Sequence, residues 1–373
     1  MRFTPSVLAA TEFRSLMVRL GIASFSRLAN SLPLCVVATV TNLRQAEVAY
    51  GASVAIAVRR AVLERARELV RVESGFAAVS GDHILLLFDR PADQADRDDR
   101  DDQHQARLVA ATLEVLGCAP VQADEMLIYP AIAAIVSSYP EDSFNIDQVG
   151  SAQLATGDDL PWRHRWRSDM GTAIDVFGAL TEGRLNFEWD PVCDVRYPEE
   201  VHYFRAVLCE RVDGFAKPLR RGIFGGLERL GLIRRLDQWV VESTIEALRL
   251  NPEVRLGCDI SIDSAVIDGY WASINVQLQR APELASRLVV EIAGSAAPTN
   301  FEAASQFVHY VHSLGCAVAL DDVGAGSKGL TQIIERSANS AKIQAGYVRR
   351  ASSDDRAPVR LRRLMRRVRL HTN

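Results

Sequence analysis

The chain has 373 residues, of which 48% are hydrophobic and 24% charged, a composition typical of a globular protein with two or three domains. Its net charge of −4 gives no electrostatic basis for nucleic-acid binding. The six cysteines lack metal-binding spacing, and no apolar run reaches the roughly 18 residues of a membrane span. We therefore expect a cytoplasmic protein with reduced thiols, no membrane span and no nucleic-acid partner.

The first half of the chain predicts one α/β unit. Its predicted strands are 34–40, 76–80, 84–88 and 131–138. Its predicted helices are 1–30, 44–72 and a third that ends near 116. A Gly-Asp dipeptide between the second and third strands indicates a hairpin turn. Residues 91–107 carry six aspartates between positions 93 and 102, and this charge density predicts a solvated loop.

From residue 168 onward, strand and helix patterns alternate. The predicted strands are 185–189, 202–208, 256–262, 286–292, 317–320 and 340–343. The clearest helical patterns are 236–250 and 301–314. Successive strand–helix repeats with apolar strands indicate a parallel α/β barrel or a doubly wound sheet.

Residues 316–330 carry the strongest chemical signal. A short apolar run ends in Asp321 and Asp322, and Gly324 and Gly326 follow. Adjacent carboxylates at the carboxyl end of a buried strand suit a divalent-cation site at the mouth of an α/β barrel. They equally suit simple capping of the next turn or helix, so spacing alone leaves both interpretations open.

The order of these motifs resembles two families in tandem. Residues 168–345 resemble the EAL domain, a TIM-type barrel that hydrolyses cyclic di-GMP with two Mg²⁺ or Mn²⁺ ions. The matching segments are 170–183, 185–192, 227–241, 289–292, 321–326 and 341–343. Residues 30–160 are similar to the GGDEF domain of diguanylate cyclases. Its signature hairpin corresponds to Ser80, Gly81, Asp82, His83 and Ile84.

The resemblance implies a domain organisation. We expect a helical lead over 1–29, a degenerate GGDEF-like α/β sheet domain over 30–160 and a degenerate EAL-like barrel over 168–373. Because the sequence stops at Asn373, the barrel is expected to lack its last strands. The segment 356–369 holds seven arginines and is expected to be a solvated helix face or the product of a truncated reading frame, rather than an anion-binding tail.

The EAL resemblance also implies a metal site, which this sequence alters. The retained metal positions are Asp259, Glu291, Asp321 and Asp322, and the retained lysine is Lys342. Arg205 replaces the glutamate of the E-A-L triplet, and Gln344 replaces an aspartate. A guanidinium repels a divalent ion, so we expect no resident cofactor, and Mg²⁺ or Mn²⁺ only if the site still binds metal. Arg205 is expected to pair with Glu291, Asp321 or Asp322, the alternative being that it turns to solvent.

Substrate-binding positions are altered as well. Asp190, Cys209 and Glu210 stand where the EAL family grips the phosphodiester, and added carboxylates would repel it. In the GGDEF-like half, Thr39 and Thr41 replace the aspartates of the first strand. We therefore predict a catalytically inactive protein with a regulatory or protein-interaction role in bacterial cyclic di-GMP signalling. A protein partner is expected, with a homodimer through the EAL-like domain as one form of it. The alternatives are a cyclic di-GMP receptor that does not hydrolyse its ligand, and a residual phosphodiesterase.

Overall fold

The computed structural model describes residues 34–73, 75–80, 82–88, 98–137, 157, 159–193, 199–293, 301–323 and 340–343. The chain divides into two compact units. Unit 1 comprises Met1–Ile174 with Arg229–Gly231 and Asp268–Ser273, and unit 2 comprises Asp175–Glu228, Leu232–Ile267 and Ile274–Asn373. The predicted helical lead over 1–29 and the arginine-rich segment 356–369 lie outside the described residues.

Nine α-helices belong to the described part of the chain, together with a short 3₁₀ helix at Ile262–Ser264. They are α1 Leu43–Tyr50, α2 Ala52–Val72, α3 Asp98–Gly117, α4 Leu160–Thr181, α5 Arg221–Leu230, α6 Ile233–Leu250, α7 Gly269–Arg280, α8 Pro282–Ala285 and α9 Phe301–Ser313. Within these described ranges, no helix is long and apolar enough to cross a membrane.

Unit 1 is built on a four-stranded antiparallel sheet with strand order β2-β3-β1-β6. The strands are β1 Leu34–Val40, β2 Phe76–Ser80, β3 His83–Phe88 and β6 Ile132–Ser137. Apolar side chains of α2 recur at helical spacing and are buried, at Val54, Val58, Val62, Ala66 and Leu69. The predicted strands and the hairpin are confirmed.

Two predictions for unit 1 were wrong in detail, and one element was missed. The long helix is split at Gly51, whose φ of 107° lies in a region that glycine occupies readily. The segment predicted as a loop over 91–107 becomes helical at Asp98, since aspartates in a first helical turn interact favourably with the helix dipole. A small hairpin of β4 Val121–Ala123 and β5 Met126–Ile128 was not predicted.

Unit 2 contains a seven-stranded sheet with order β13-β12-β11-β10-β8-β7, and β9 pairs with β8. The strands are β7 Leu185–Cys193, β8 Val201–Val212, β9 Phe215–Pro218, β10 Leu256–Ser261, β11 Leu288–Ala293, β12 Ala317–Val323 and β13 Ser340–Ile343. Strands β8 and β10 to β13 are parallel, while β7 and β9 are antiparallel to β8. The predicted α/β class is confirmed, and closure of a barrel stays a prediction.

Arg287 fixes where β10 begins. Its guanidinium donates to the carbonyl oxygens of Leu248, Asn251 and Val254 at 3.0, 2.8 and 3.0 Å. These bonds satisfy carbonyls that the end of α6 leaves without intrahelical donors. The backbone N–H of Leu256 in turn donates to the Arg287 carbonyl at 3.1 Å. The end of α6 is therefore tied to the first residue of the strand that carries Asp259.

Candidate functional site

One face of the unit 2 sheet collects the charged residues singled out from the sequence. Asp259 and Glu291 are register partners on the parallel strands β10 and β11, and Asp190 is the register partner of Arg205 across the antiparallel pair β7–β8. Tyr203, Val289 and Ala319 form a buried apolar cluster beneath them, with Val192 and Ala317 packed against it. Because side chains alternate along a strand, the four charged residues share this face, which we call the Arg205 face.

Arg205 lies between two carboxylates. Its Nη2 is 3.4 Å from Asp190 Oδ2, and its Nη1 is 3.8 Å from Asp259 Oδ2. The Arg205 side chain is 27% exposed, so it does not turn to solvent. The guanidinium therefore supplies a positive charge to acids on β7 and β10, the two strands on either side of β8. The pairing expected with Glu291, Asp321 or Asp322 stays a prediction.

Glu291 is the most enclosed acid of this face, with none of its surface exposed. Gly257 makes room for it: a Cβ at position 257 would lie 2.8 Å from Glu291 Oε1 and 2.6 Å from Tyr203 Cε2. Both distances are shorter than a carbon atom tolerates. The absence of a side chain at Gly257 is thus a condition for burying this carboxylate beside the Tyr203 ring.

The neighbouring β7–β8 ladder separates two residues that the sequence analysis grouped together. Cys209 is fully buried, and burial followed by the nearby Glu188 carboxylate raises the pKa of its thiol, which keeps the thiol neutral. Glu210 is one residue out of phase with Cys209 and forms an ion pair with Arg184. Of the three predicted substrate positions, Asp190 and Cys209 therefore share a face of β8 and its partner, and Glu210 does not.

A hydrogen-bonded acid cluster, which sequence reasoning missed, holds the end of β10. Asp237 Oδ2 accepts from the backbone N–H of Ser261 at 2.8 Å and from the Ser264 hydroxyl at 2.6 Å. The Ser261 hydroxyl donates to Glu228 Oε1 at 2.6 Å. Burial, above all, raises the pKa of Asp237 to about 7, against two hydrogen bonds that lower it and two acidic neighbours that raise it further. The cluster fixes the chain two residues beyond Asp259.

A signal for Asp237 was present in the sequence. The buried positions of α6 include Ile233, Asp237, Val240 and Thr244, which recur at spacings of three and four residues. An aspartate in such a stripe must find donors, because a buried carboxylate without them is costly. The pattern could have identified Asp237 as a buried acid, although not its partners.

The remaining predicted positions of unit 2 are described only in part. Asp321 on β12 is the register partner of Ala293, and Lys342 lies within β13. Gln344 lies outside the described residues. Among the residues that the structure describes, no group of three or more His, Cys, Asp or Glu side chains is arranged to hold a metal ion.

Comparison with protein families decides the classification of this part of the chain. The family model described as EAL domain matches residues 175–369, more than half of the chain. The chain belongs to the EAL domain family. The match begins within α4 and includes every strand of unit 2.

Curated relatives resemble a part of the EAL chain. Cyclic di-GMP phosphodiesterase PdeF of Escherichia coli is 27% identical over 128 residues, 33% of this chain and 17% of the relative. The bifunctional diguanylate cyclase/cyclic di-GMP phosphodiesterase MucR of Pseudomonas aeruginosa is 24% identical over 139 residues, 35% of this chain and 20% of the relative. The matches thus span about a fifth or less of either relative's length.

Solved structures with a GGDEF and an EAL part match most of this chain, and one of them serves as an example. It is the S helix–GGDEF–EAL part of LapD from Vibrio cholerae without ligand, at 13% identity and a TM-score of 0.47, covering 91% of this chain and 81% of that one. The GGDEF-like character of unit 1 and the correspondence of Arg205 with the E-A-L glutamate stay predictions.

The Arg205 face does not fit the divalent metal that the EAL family implies. A metal bound to Asp259 would share that carboxylate with a guanidinium 3.8 Å away. Two like unit charges 4 Å apart repel each other by about 4 kcal/mol at an effective dielectric near 20. A divalent ion at the same distance from the guanidinium would double this repulsion. With Arg205 in place, Asp259 already has its counter-ion.

The β2–β3 hairpin of unit 1 shows a second arginine beside an aspartate. Asp82 pairs with Arg59 of α2, and the Thr39 hydroxyl donates to the Asp82 backbone carbonyl at 3.2 Å. His83, half-buried, is the register partner of Thr39, and Ile84 is buried. Gly81 and the side chain of Ser80 lie outside the described residues. Sequence reasoning did not identify Arg59, which reaches the hairpin from a helix 23 positions earlier.

Proposed function

We propose that this EAL-domain protein is a non-hydrolysing cytoplasmic regulator in cyclic di-GMP-linked bacterial signalling, and that it acts by binding a protein partner. The observation that carries the proposal is the position of Arg205 between Asp190 and Asp259. An EAL phosphodiesterase needs metal-bound water, and metal binding needs carboxylates that are not already neutralised. In this chain a fixed cation lies beside Asp259, one of the carboxylates that a divalent ion would need.

The charges around Arg205 also oppose substrate binding. Four acids surround the Arg205 guanidinium on the described part of this face, namely Glu188 and Asp190 on β7, Asp259 on β10 and Glu291 on β11. A phosphodiester brings further negative charge to an already acidic surface. Membership of the EAL family and the names of two relatives support cyclic di-GMP as the signalling context, and the charge balance supports regulation without hydrolysis.

The first experiment is calorimetric titration of cyclic di-GMP into the purified protein with Mn²⁺ present. We expect no continuing heat of turnover, because Arg205 excludes the metal. Continuing turnover would contradict the proposal. Saturable binding without turnover would replace it with the alternative that the protein is a cyclic di-GMP receptor, with Arg205 as a phosphate contact.

The second experiment replaces the cation itself. Arg205→Glu restores the acid expected at this position and should give the protein Mn²⁺ affinity, measured as loss of the free-ion signal in electron paramagnetic resonance. Arg211→Glu is the matched control, since Arg211 is exposed and six residues along β8, about 20 Å away at the rise of a strand. If both variants bind Mn²⁺ no better than the wild type, Arg205 is not what prevents metal binding.

A further inference from the structure

The β8–β9 hairpin of unit 2 ends in a two-residue turn. Val212 and Phe215 are register partners at the end of the ladder, and Asp213 and Gly214 join them with φ values of 53° and 82°. Two successive positive φ values are typical of a type I′ turn, for which Asp-Gly is a favoured pair. The hairpin therefore reaches its tip without a loop that could fold back over its side chains.

An aromatic ring is exposed at this tip. Phe215 is 73% exposed, and every other Phe, Tyr or Trp side chain that the structure describes is buried or half-buried. Val212 is opposite Phe215 in the ladder, so the two side chains share one face of the hairpin, and Lys217 follows on that face two residues along β9. We call Val212, Phe215 and Lys217 the hairpin-tip face. The ring loses, in water, the free energy that an apolar contact would supply.

The charge around the hairpin-tip face is positive, although the whole chain carries −4. Asp213 in the turn is the single acid between positions 211 and 221, and the Glu210 carboxylate just before it is paired with Arg184. The same segment carries four exposed cations, namely Arg211, Lys217, Arg220 and Arg221. An anionic ligand with an apolar layer therefore matches both the charge of the segment and its exposed ring.

We propose that the hairpin-tip face binds the surface of an anionic phospholipid bilayer, with the Phe215 ring at the boundary between headgroups and acyl chains and the Lys217 ammonium among the headgroups. Lys217 lies about 7 Å from Phe215 along β9, a distance that its long side chain spans. Attachment to a membrane interface grows with the apolar area buried there and with the attraction of nearby cations to anionic lipid. Both contributions come from exposed atoms of this hairpin.

The shape of the hairpin favours a bilayer over a protein or a nucleic acid. A two-residue turn is convex, so a protein partner would need a preformed apolar pocket, edged with acids, that fits this one ring. A bilayer presents anionic headgroups above an apolar interior over its whole surface and needs no such fit. Single-stranded nucleic acid is bound by several rings on which successive bases stack, whereas Phe215 is the one exposed ring among the described residues.

The hairpin-tip face is distinct from the Arg205 face. Phe215 is paired with Val212, which is an odd number of residues from Arg205 along β8, so the two side chains of β8 lie on opposite faces of the sheet. Binding to lipid therefore does not depend on the function proposed for the Arg205 face.

The test is co-sedimentation of the full chain with lipid vesicles. The anionic vesicles contain phosphatidylcholine and phosphatidylglycerol in equal parts, and the neutral vesicles contain phosphatidylcholine alone. We expect at least tenfold stronger binding to the anionic vesicles, because each cation near the surface contributes about a factor of five. Added salt should reduce this preference, because it screens exposed charges.

Three variants assign the binding to the hairpin-tip face. Phe215→Ala removes the ring and should weaken binding to anionic vesicles about tenfold, whereas Phe215→Trp keeps a ring suited to membrane interfaces and should bind at least as well as the wild type. Lys217→Gln should weaken binding about fivefold, the effect of one cation.

Two controls make the same kinds of change elsewhere. Leu250→Ala removes an apolar side chain that is 75% exposed, and Arg67→Gln removes an exposed cation of α2 in unit 1. Both should bind the anionic vesicles as the wild type does. All of the substituted positions are exposed, so circular dichroism should report wild-type folding for every variant.

Several outcomes would overturn the proposal. One is the absence of binding to anionic vesicles, and another is equal binding to anionic and neutral vesicles. Wild-type binding by both Phe215→Ala and Lys217→Gln would place the lipid contact elsewhere on the chain. Tighter binding of a single-stranded oligonucleotide than of anionic vesicles would assign the face to nucleic acid instead. None of these measurements contains cyclic di-GMP or Mn²⁺, so each outcome leaves the function proposed for the Arg205 face to its own experiments.

Discussion

The two units each place an arginine beside an aspartate, and the two pairs differ in burial. In unit 1 the side chains of Arg59 and Asp82 are 45% and 80% exposed. In unit 2 the side chains of Arg205 and Asp259 are 27% and 37% exposed. Water screens the first pair far more than the second, so an exposed pair of this kind is worth less than about 1 kcal/mol.

This difference in exposure shows that two arginine–aspartate pairs in one chain can contribute unequally to stability. The hairpin tip of unit 1 is held by its ladder with β1 and by the Thr39 bond to the Asp82 carbonyl, so Arg59 adds little. On the Arg205 face, Glu291 is fully enclosed and Asp259 lies on the neighbouring strand. Removing the Arg205 guanidinium therefore leaves partly buried carboxylates without a nearby positive charge. Arg205 of unit 2 therefore contributes to the stability of the fold, whereas Arg59 of unit 1 contributes little.

The largest destabilisation is expected from a substitution at Gly257. A Gly257→Ala methyl would approach Glu291 Oε1 to 2.8 Å and the Tyr203 ring to 2.6 Å. We expect a loss of about 3 kcal/mol in the free energy of unfolding, measured by urea titration with circular dichroism. Gly222→Ala is the control, because its added Cβ, on α5, meets nothing within 4 Å. Equal stabilities of the two variants would show that the Arg205 face is not tightly packed.

The difference in burial between the two ion pairs predicts unequal losses of stability when each guanidinium group is removed. Arg205→Met should destabilise the protein by about 2 kcal/mol, because acids on adjacent strands lose their counter-ion in a partly buried setting. Arg59→Met should cost less than about 0.5 kcal/mol, because both members of that pair are exposed. Urea titrations of both variants measure the difference. Equal losses would remove the distinction drawn between the units.

Much of the fold could be predicted from the sequence because its strands are short apolar runs between turn residues. The bounds predicted for β1, β2 and β13 agree with the structure at both ends. The break at Gly51 could not be predicted, because glycine also occurs inside helices. Glycine can adopt both the helical φ and the observed φ of 107°, so its presence does not decide between them. The start of α3 was missed because dense aspartates suit both a solvated loop and a helical first turn.

The candidate site could be predicted only where register follows from topology. Asp259 and Glu291 belong to successive parallel strands, so their adjacency was within reach of the motif order. The pairing of Asp190 with Arg205 depends on the antiparallel register of β7 and β8. The residue types in these strands do not predict that register. Whether the Glu210 side chain lies on the Arg205 face depends on the alternation of side chains along β8. A shift of the register by one residue would place it on the opposite face of the sheet.

The last prediction is a pH dependence that comes from Asp237, a buried acid of unit 2. Burial raises the pKa of Asp237 to about 7 from an ordinary value of 3.8, so the folded state binds more protons than the unfolded state between these values. The contribution of Asp237 to stability is therefore present at low pH and is lost as the pH rises through 7, by at most about 1.4 kcal/mol per pH unit.

Two variants identify Asp237 as the source of that dependence. Asp237→Asn retains an acceptor oxygen for the Ser261 N–H and the Ser264 hydroxyl but cannot titrate, so its melting temperature should fall less than that of the wild type between about pH 5 and about pH 8. Glu228→Gln removes one acid that raises the Asp237 pKa in the folded state, so the decline should end at lower pH. A wild-type slope in Asp237→Asn would assign the pH dependence to other groups. The acid cluster at the end of β10 would then be a fixed support for Asp259 that does not respond to protons.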